Sequence, residues 1–223
     1  MTVVGAVLLS TFLSMGALAA APSPQPSSAL CGATIVADLE LDHDLVCSVF
    51  VGGLIVGANG VTIHLKGHSI TGASRGPPVR GITVNGRTDV NIVGPGTVTN
   101  FRTGIAITAS HDVLVRKVTV VNNGASVFGD GDGIRVVAST DVTIEKCNIR
   151  GNGNDGIQVL ASTGVRLEKN EVSGSINGIN LGSAGSAVEK NKISMNTCGV
   201  KGSTVGNELK KNHFTANLAD FCA

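Results

Sequence analysis

Two carboxylates, Asp132 and Asp155, occupy the same place in two copies of one short motif, each directly before a Gly–Ile step, Gly133-Ile134 and Gly156-Ile157. One residue past each step stands a second polar side chain, Arg135 and Gln158, and the next two copies bring Asn177 with Asn180 and Cys198 with Lys201. Carboxyls on adjacent turns of a repeating chain can split their acidities by like-charge repulsion, so that one keeps its proton while the other ionises. Inverting glycosidases hold such a pair about 6.5–9.5 Å apart across the scissile bond. Lyase or epimerase chemistry on uronates needs different parts, a charge partner for the substrate carboxylate and a base for the C5 proton. Arg135 and Lys201 suit those two roles, and Asp130, Asp132 and Asp155 are oxygen donors of the kind that hold Ca²⁺. The candidate catalytic residues are therefore Asp132, Asp155, Arg135 and Lys201, with Asn177, Gln158 and Asn180 as substrate-binding neighbours. Asp and Asn before Gly are also ordinary turn residues that bond nearby backbone, so the same positions equally suit a non-catalytic scaffold.

Either use requires that residues some two dozen apart become neighbours. The Gly–aliphatic step recurs at Gly81-Ile82, Gly104-Ile105, Gly133-Ile134, Gly156-Ile157, Gly178-Ile179 and Gly199-Val200, at spacings of 23, 29, 23, 22 and 21 residues. Each step opens a β-branched run, a small polar turn, a second short run and an Asn-rich corner, such as Lys169-Asn170-Glu171-Val172 and Lys190-Asn191-Lys192-Ile193. A period in the low twenties without helical patterning predicts an all-β solenoid of parallel strands, each coil too small to bury a core alone. Equivalent strands then pair about 4.8 Å above and below one another, aliphatic residues fill the interior, and stacked Asn bond along the corners. The 29-residue coil carries an insertion at 122–130, which is expected to emerge as a loop on one face.

The composition narrows the partners. Seventeen Lys and Arg against sixteen Asp and Glu leave a net charge of +1, so no global field recruits nucleic acid or an anionic membrane. Trp and Tyr are absent, which removes the aromatic faces that usually grip neutral sugars. Arg75, Arg80, Arg102, Arg116, Arg135 and Lys201 remain to pair with carboxylates, and this favours an acidic polysaccharide as the partner of a monomeric protein. Residues 1–21 carry no charged side chain, and Ala17-Leu18-Ala19 offers a cleavage site before Pro22, as in a secretory signal peptide. A membrane anchor is the alternative, for which the apolar run is short. Residues 22–30 read as a Pro/Ser linker and residues 31–223 as the solenoid domain, secreted to the cell exterior or periplasm and free of membrane once cleaved. Five cysteines fit that compartment: Cys31 with Cys47 and Cys198 with Cys222 would staple the two ends, leaving Cys147 as a buried free thiol. The five histidines share no repeat position, and no CxxC or HExxH pattern marks a metal site.

The opening coils, from Cys31-Gly32 and Leu45-Val46-Cys47 through Leu54–Gly72 and Asp89–Val98, resemble secreted right-handed parallel β-helix proteins of the pectate-lyase-like superfamily. The later coils resemble the short parallel β-helix repeats of NosD-type carbohydrate-binding and sugar-hydrolase proteins. The resemblance spans residues 31 to about 215 and implies a single right-handed parallel β-helix of about seven to eight coils. The order Gly131-Asp132-Gly133, Asn154-Asp155-Gly156, Asn177-Gly178-Ile179 is similar to the motif order of polygalacturonases, with Asn177 where that family has His and one Asp in the second motif instead of two. Lys201 resembles the family's closing lysine. What the resemblance implies is binding and cleavage of a uronate polymer by hydrolase, lyase or epimerase chemistry, the alternative being a non-catalytic binding or surface solenoid.

Overall fold

A computed structural model describes residues 28–73, 79–124 and 131–223. Among these residues there is no helix; short strands form three all-parallel sheets of nine, eight and eight strands. Each coil contributes one strand to each sheet, giving a triangular β-solenoid of about eight turns. The coil that begins at Thr103 shows the pattern. Thr103–Thr108 lies in the first sheet, His111–Arg116 in the second and Thr119–Val121 in the third. The next coil repeats it with Ile134–Val137, Thr140–Glu145 and Asn148–Arg150, paired as Ile105↔Ile134, Val113↔Val142 and Val120↔Ile149. Period-2 alternation sends Ile105, Ile107, Val113, Val115 and Val120 inward, where none is more than 1% exposed. One continuous aliphatic column results, and its coils are held together by side-chain contact as well as backbone hydrogen bonds.

Polar ladders finish the three corners. Between the second and third sheets, the backbone N–H groups of Cys147, Asn170 and Asn191 donate to the side-chain Oδ1 of Asn170, Asn191 and Asn212 at 2.9, 2.9 and 3.0 Å. This is the Asn corner expected from the repeat. A second Asn ladder closes the corner from the third sheet to the first, Asn123 to Asn152 at 3.0 Å and Asn196 to Asn217 at 3.0 Å. The corner from the first sheet to the second uses serine, with the N–H groups of Ser110 and Ser139 donating to the Oγ of Ser139 and Ser162 at 3.1 Å. Each ladder gives a buried backbone donor a partner that no strand supplies.

The recurring Gly has a steric cause. A Cβ at Gly104, Gly133, Gly156 or Gly178 would stand 2.6–2.7 Å from the carbonyl oxygen of the equivalent glycine one coil on. No side chain fits in that gap, so the residue before the first buried aliphatic side chain of these coils must be Gly.

Both end staples form as expected, Cys31–Cys47 with Cα atoms 5.4 Å apart and Cys198–Cys222 with Cα atoms 6.1 Å apart. Cys147 is free and buried, and burial pushes its thiol up to about 12, so it carries no thiolate at neutral pH. The last coil ends its core on an aromatic pair, Phe214 and Phe221, with ring centroids 5.0 Å apart.

Candidate functional site

Register on the first sheet brings the polar repeat residues together. Asp155 pairs with Asn177 and Asn177 with Cys198 along one row, while Arg135, Gln158, Asn180 and Lys201 pair in sequence along the next. Gly156 and Ile157 both face the core: a Cβ on Gly156 would meet Val172 Cγ1 at 2.5 Å, and Ile157 is fully buried. This break in alternation leaves Asp155 on the outer side of the sheet, beside Gln158.

Asp155 is the hub. Its Oδ1 accepts a hydrogen bond from Asn177 Nδ2 at 2.6 Å, and its Oδ2 accepts from Gln158 Nε2 and Asn180 Nδ2, both at 2.8 Å. Asp132, one coil earlier, accepts at Oδ1 from Asn154 Nδ2 at 3.1 Å and from the Asp155 backbone N–H at 3.3 Å. Its Oδ2 lies 3.8 Å from Arg135 Nη1. The repeat frame does not single out Asn154; its signal is an amide directly before Asp155, which reaches back one coil to Asp132.

Both candidate catalytic carboxylates are buried. Asp132 is 1% exposed and Asp155 0%, because side chains on neighbouring coils stack over them. What faces solvent is the outer row, where Lys201 is exposed, Arg135 and Asn180 are partly exposed and Gln158 is largely covered. Both carboxylates bond residues of the neighbouring coil rather than only their own turn. Asp132 Oδ1 and both oxygens of Asp155 accept from amide or backbone N–H donors, whereas Ca²⁺ wants a shell of oxygens. Among the described residues no group of three or more His, Cys, Asp or Glu can hold a metal ion, and Asp130 lies outside them.

Burial, reinforced by the negative charge of Asp155, pushes the Asp132 carboxyl up to about 6; Asn154 and Arg135 partly offset that rise. A carboxyl whose pKa is raised in the folded state binds its proton more tightly folded than unfolded. Stability is therefore lost as pH rises from about 4 to 6, and the penalty persists above that window. Asp132→Asn removes it. The variant should be more stable than wild type by about 2–3 kcal/mol at pH 7 and equal to it near pH 4, read from urea midpoints across that range. A constant difference at all pH values would contradict the buried position.

Over residues 47–221 the chain matches the family described as "Periplasmic copper-binding protein (NosD)". It belongs to the NosD family. No curated protein matches the sequence. Among solved structures, this NosD chain is similar to an alginate lyase from Paenibacillus, at 17% identity and a TM-score of 0.61, covering 77% of this chain and 68% of that one. It is similar to the A-module of an Azotobacter vinelandii mannuronan C-5 epimerase, at 16% identity and a TM-score of 0.62, covering 81% and 55% of the two chains. A double mutant of a periplasmic alginate epimerase gives 14% identity and a TM-score of 0.57, with 79% and 47% covered. The NosD chain thus spans about half the length of each epimerase chain, and at these identities the likeness is one of fold.

Proposed function

We propose that this NosD-family protein is exported and binds an acidic, uronate-type polysaccharide along the outer face of the first sheet. One observation carries the reading: Arg135, Gln158, Asn180 and Lys201 stand in register on four successive coils, two cations flanking two amides. Asp155 fixes Gln158 and Asn180 from beneath, so the amides are oriented before any ligand arrives. A linear polymer lying along the solenoid axis would meet them as a strip, its carboxylates paired with Arg135 and Lys201 and its hydroxyls with the amides. The lyase and epimerases of similar fold are named for alginate or mannuronan, both uronate polymers. Export is supported by the apolar residues 1–21, by two disulfides and by the family's periplasmic description.

The raised pKa of Asp132 beside Arg135 supports a second reading, in which the bound polymer is cleaved or epimerised. A carboxyl that titrates near 6 can take or give a proton near neutral pH, and Arg135 would neutralise the substrate carboxylate.

The family description also names copper, and the described donors do not fit it. Four cysteines are closed in disulfides, and the fifth is buried and protonated. The histidines gather no third donor among the described residues. No step of the proposal runs through the metal.

Calorimetric titration with polygalacturonate and with alginate, against neutral dextran, tests the reading. Arg135→Gln and Lys201→Gln should each weaken binding about tenfold, the equivalent of about 1.4 kcal/mol. Failure of the wild type to bind either uronate polymer would sink it. New reducing ends or unsaturated products, lost in Asp132→Asn while binding persists, would establish the second reading.

A further inference from the structure

A column of lysines runs down the vertex opposite the first sheet. Arg116, Glu145, Glu168, Glu189 and Lys210 pair in register along the second sheet. The residues that follow them, Lys117, Lys146, Lys169, Lys190 and Lys211, therefore stack one above another. Backbone bonds from Lys117, Lys146, Lys169 and Lys190 N–H to the carbonyls of Glu145, Glu168, Glu189 and Lys210 hold the spacing. All five lysines are exposed, at intervals of about 4.8 Å.

This arrangement is unfavourable for the protein alone. Every lysine of the column turns the corner with φ between 53° and 57°, a left-handed conformation that disfavours a side chain. The corner from the first sheet to the second turns through Gly185 and Gly206 in its last two coils, which meets the same need without strain. Like charges one strand apart also repel well within a Debye length. The neighbouring carboxylates relieve this only in part. Glu145 serves Arg116 and Lys146, at 3.6 and 3.8 Å, and Glu168 serves Lys169 and Lys190, at 2.7 and 3.4 Å. Among the described residues Lys117 and Lys211 have no ion-pair partner.

We propose that this vertex is a second binding edge, which takes a linear polyuronate chain laid parallel to the solenoid axis. The identity of the polymer rests on the reading above; the edge itself does not. One ammonium per coil suits a polymer with one carboxylate per sugar ring. Thr119 and Asn148, just past the corner in neighbouring coils, offer a hydroxyl and an amide to ring hydroxyls. Duplex nucleic acid fits poorly. Its charges lie about 1.7 Å apart along the axis, far closer than one ammonium per coil.

The test is binding of polygalacturonate to the full chain, by affinity electrophoresis and calorimetry over a range of NaCl concentrations. The triple variant Lys146→Gln, Lys169→Gln, Lys190→Gln should bind at least about tenfold more weakly. Its plot of log K against log salt should be shallower by about two. Because the triple variant also removes ion pairs at the corner, Glu168→Gln with Glu189→Gln provides the opposite change and should strengthen binding about threefold. A triple variant that binds like wild type overturns the edge, as does tighter binding of duplex DNA than of polygalacturonate at equal charge. Loss confined to Arg135→Gln with Lys201→Gln overturns the edge and leaves the first-sheet strip standing; loss confined to the lysine triple does the reverse.

Discussion

Asp155→Leu should lose about 4 kcal/mol and release the outer strip of the first sheet. The side chain is wholly buried, and three amide groups, from Gln158, Asn177 and Asn180, end on its two oxygens. Leucine leaves the buried Gln158 and Asn177 donors without an acceptor and Asn180 with solvent alone, and each buried orphan costs about 1–3 kcal/mol. Asp155→Asn keeps one oxygen and should fall between the two. The loss is read as a fall in the urea midpoint by circular dichroism, and polymer binding should fall with it because Gln158 and Asn180 lose their anchor. A leucine variant as stable as wild type would mean that the network does not exist in solution.

Gly156→Ala is the second large effect, expected at about 3 kcal/mol or more. The added methyl would lie 2.6 Å from the Gly178 carbonyl oxygen and 2.5 Å from Val172 Cγ1. The first obstacle is backbone, locked in the ladder, so the coils must separate locally, as in an overpacked core. Gly86→Ala is the matched control. Gly86 has φ of +63°, and a methyl there would meet nothing within 4 Å, so its substitution should cost only about 1 kcal/mol. Equal losses at the two sites would show that close approach does not dictate the repeated glycine.

That glycine is also why so much of the architecture is legible in the chain. Its spacing sets the register, and the register predicts that Asp155, Asn177 and Cys198 share a row and that Gln158, Asn180 and Lys201 share another. The Asn170, Asn191 and Asn212 ladder and both disulfides are legible for the same reason, since equivalent positions in a solenoid are contacts. Burial of the carboxylates is not legible. Strict alternation assigns each residue a side, but the two consecutive inward residues at Gly156 and Ile157 turn Asp155 along the sheet and beneath Gln158 and Asn180. Whether a surface carboxylate is covered depends on the reach of side chains one coil away, which no pattern within its own strand encodes. The Asn154 bond to Asp132 is hidden in the same way, because it joins two unlike repeat positions.

The corner ladders join residues 21 to 29 positions apart, with an Asn or Ser side chain of one coil ending on the backbone of its neighbour. Apart from insertions in its loops, such as that of the 29-residue coil, such a chain changes length without penalty only in whole turns. Removing a few residues from within a turn would leave the corner amides facing the wrong atoms, whereas duplicating one complete turn recreates every bond it displaces. The footprint offered to a polymer should therefore evolve in discrete steps, one sugar-sized notch for each tandem copy gained or lost.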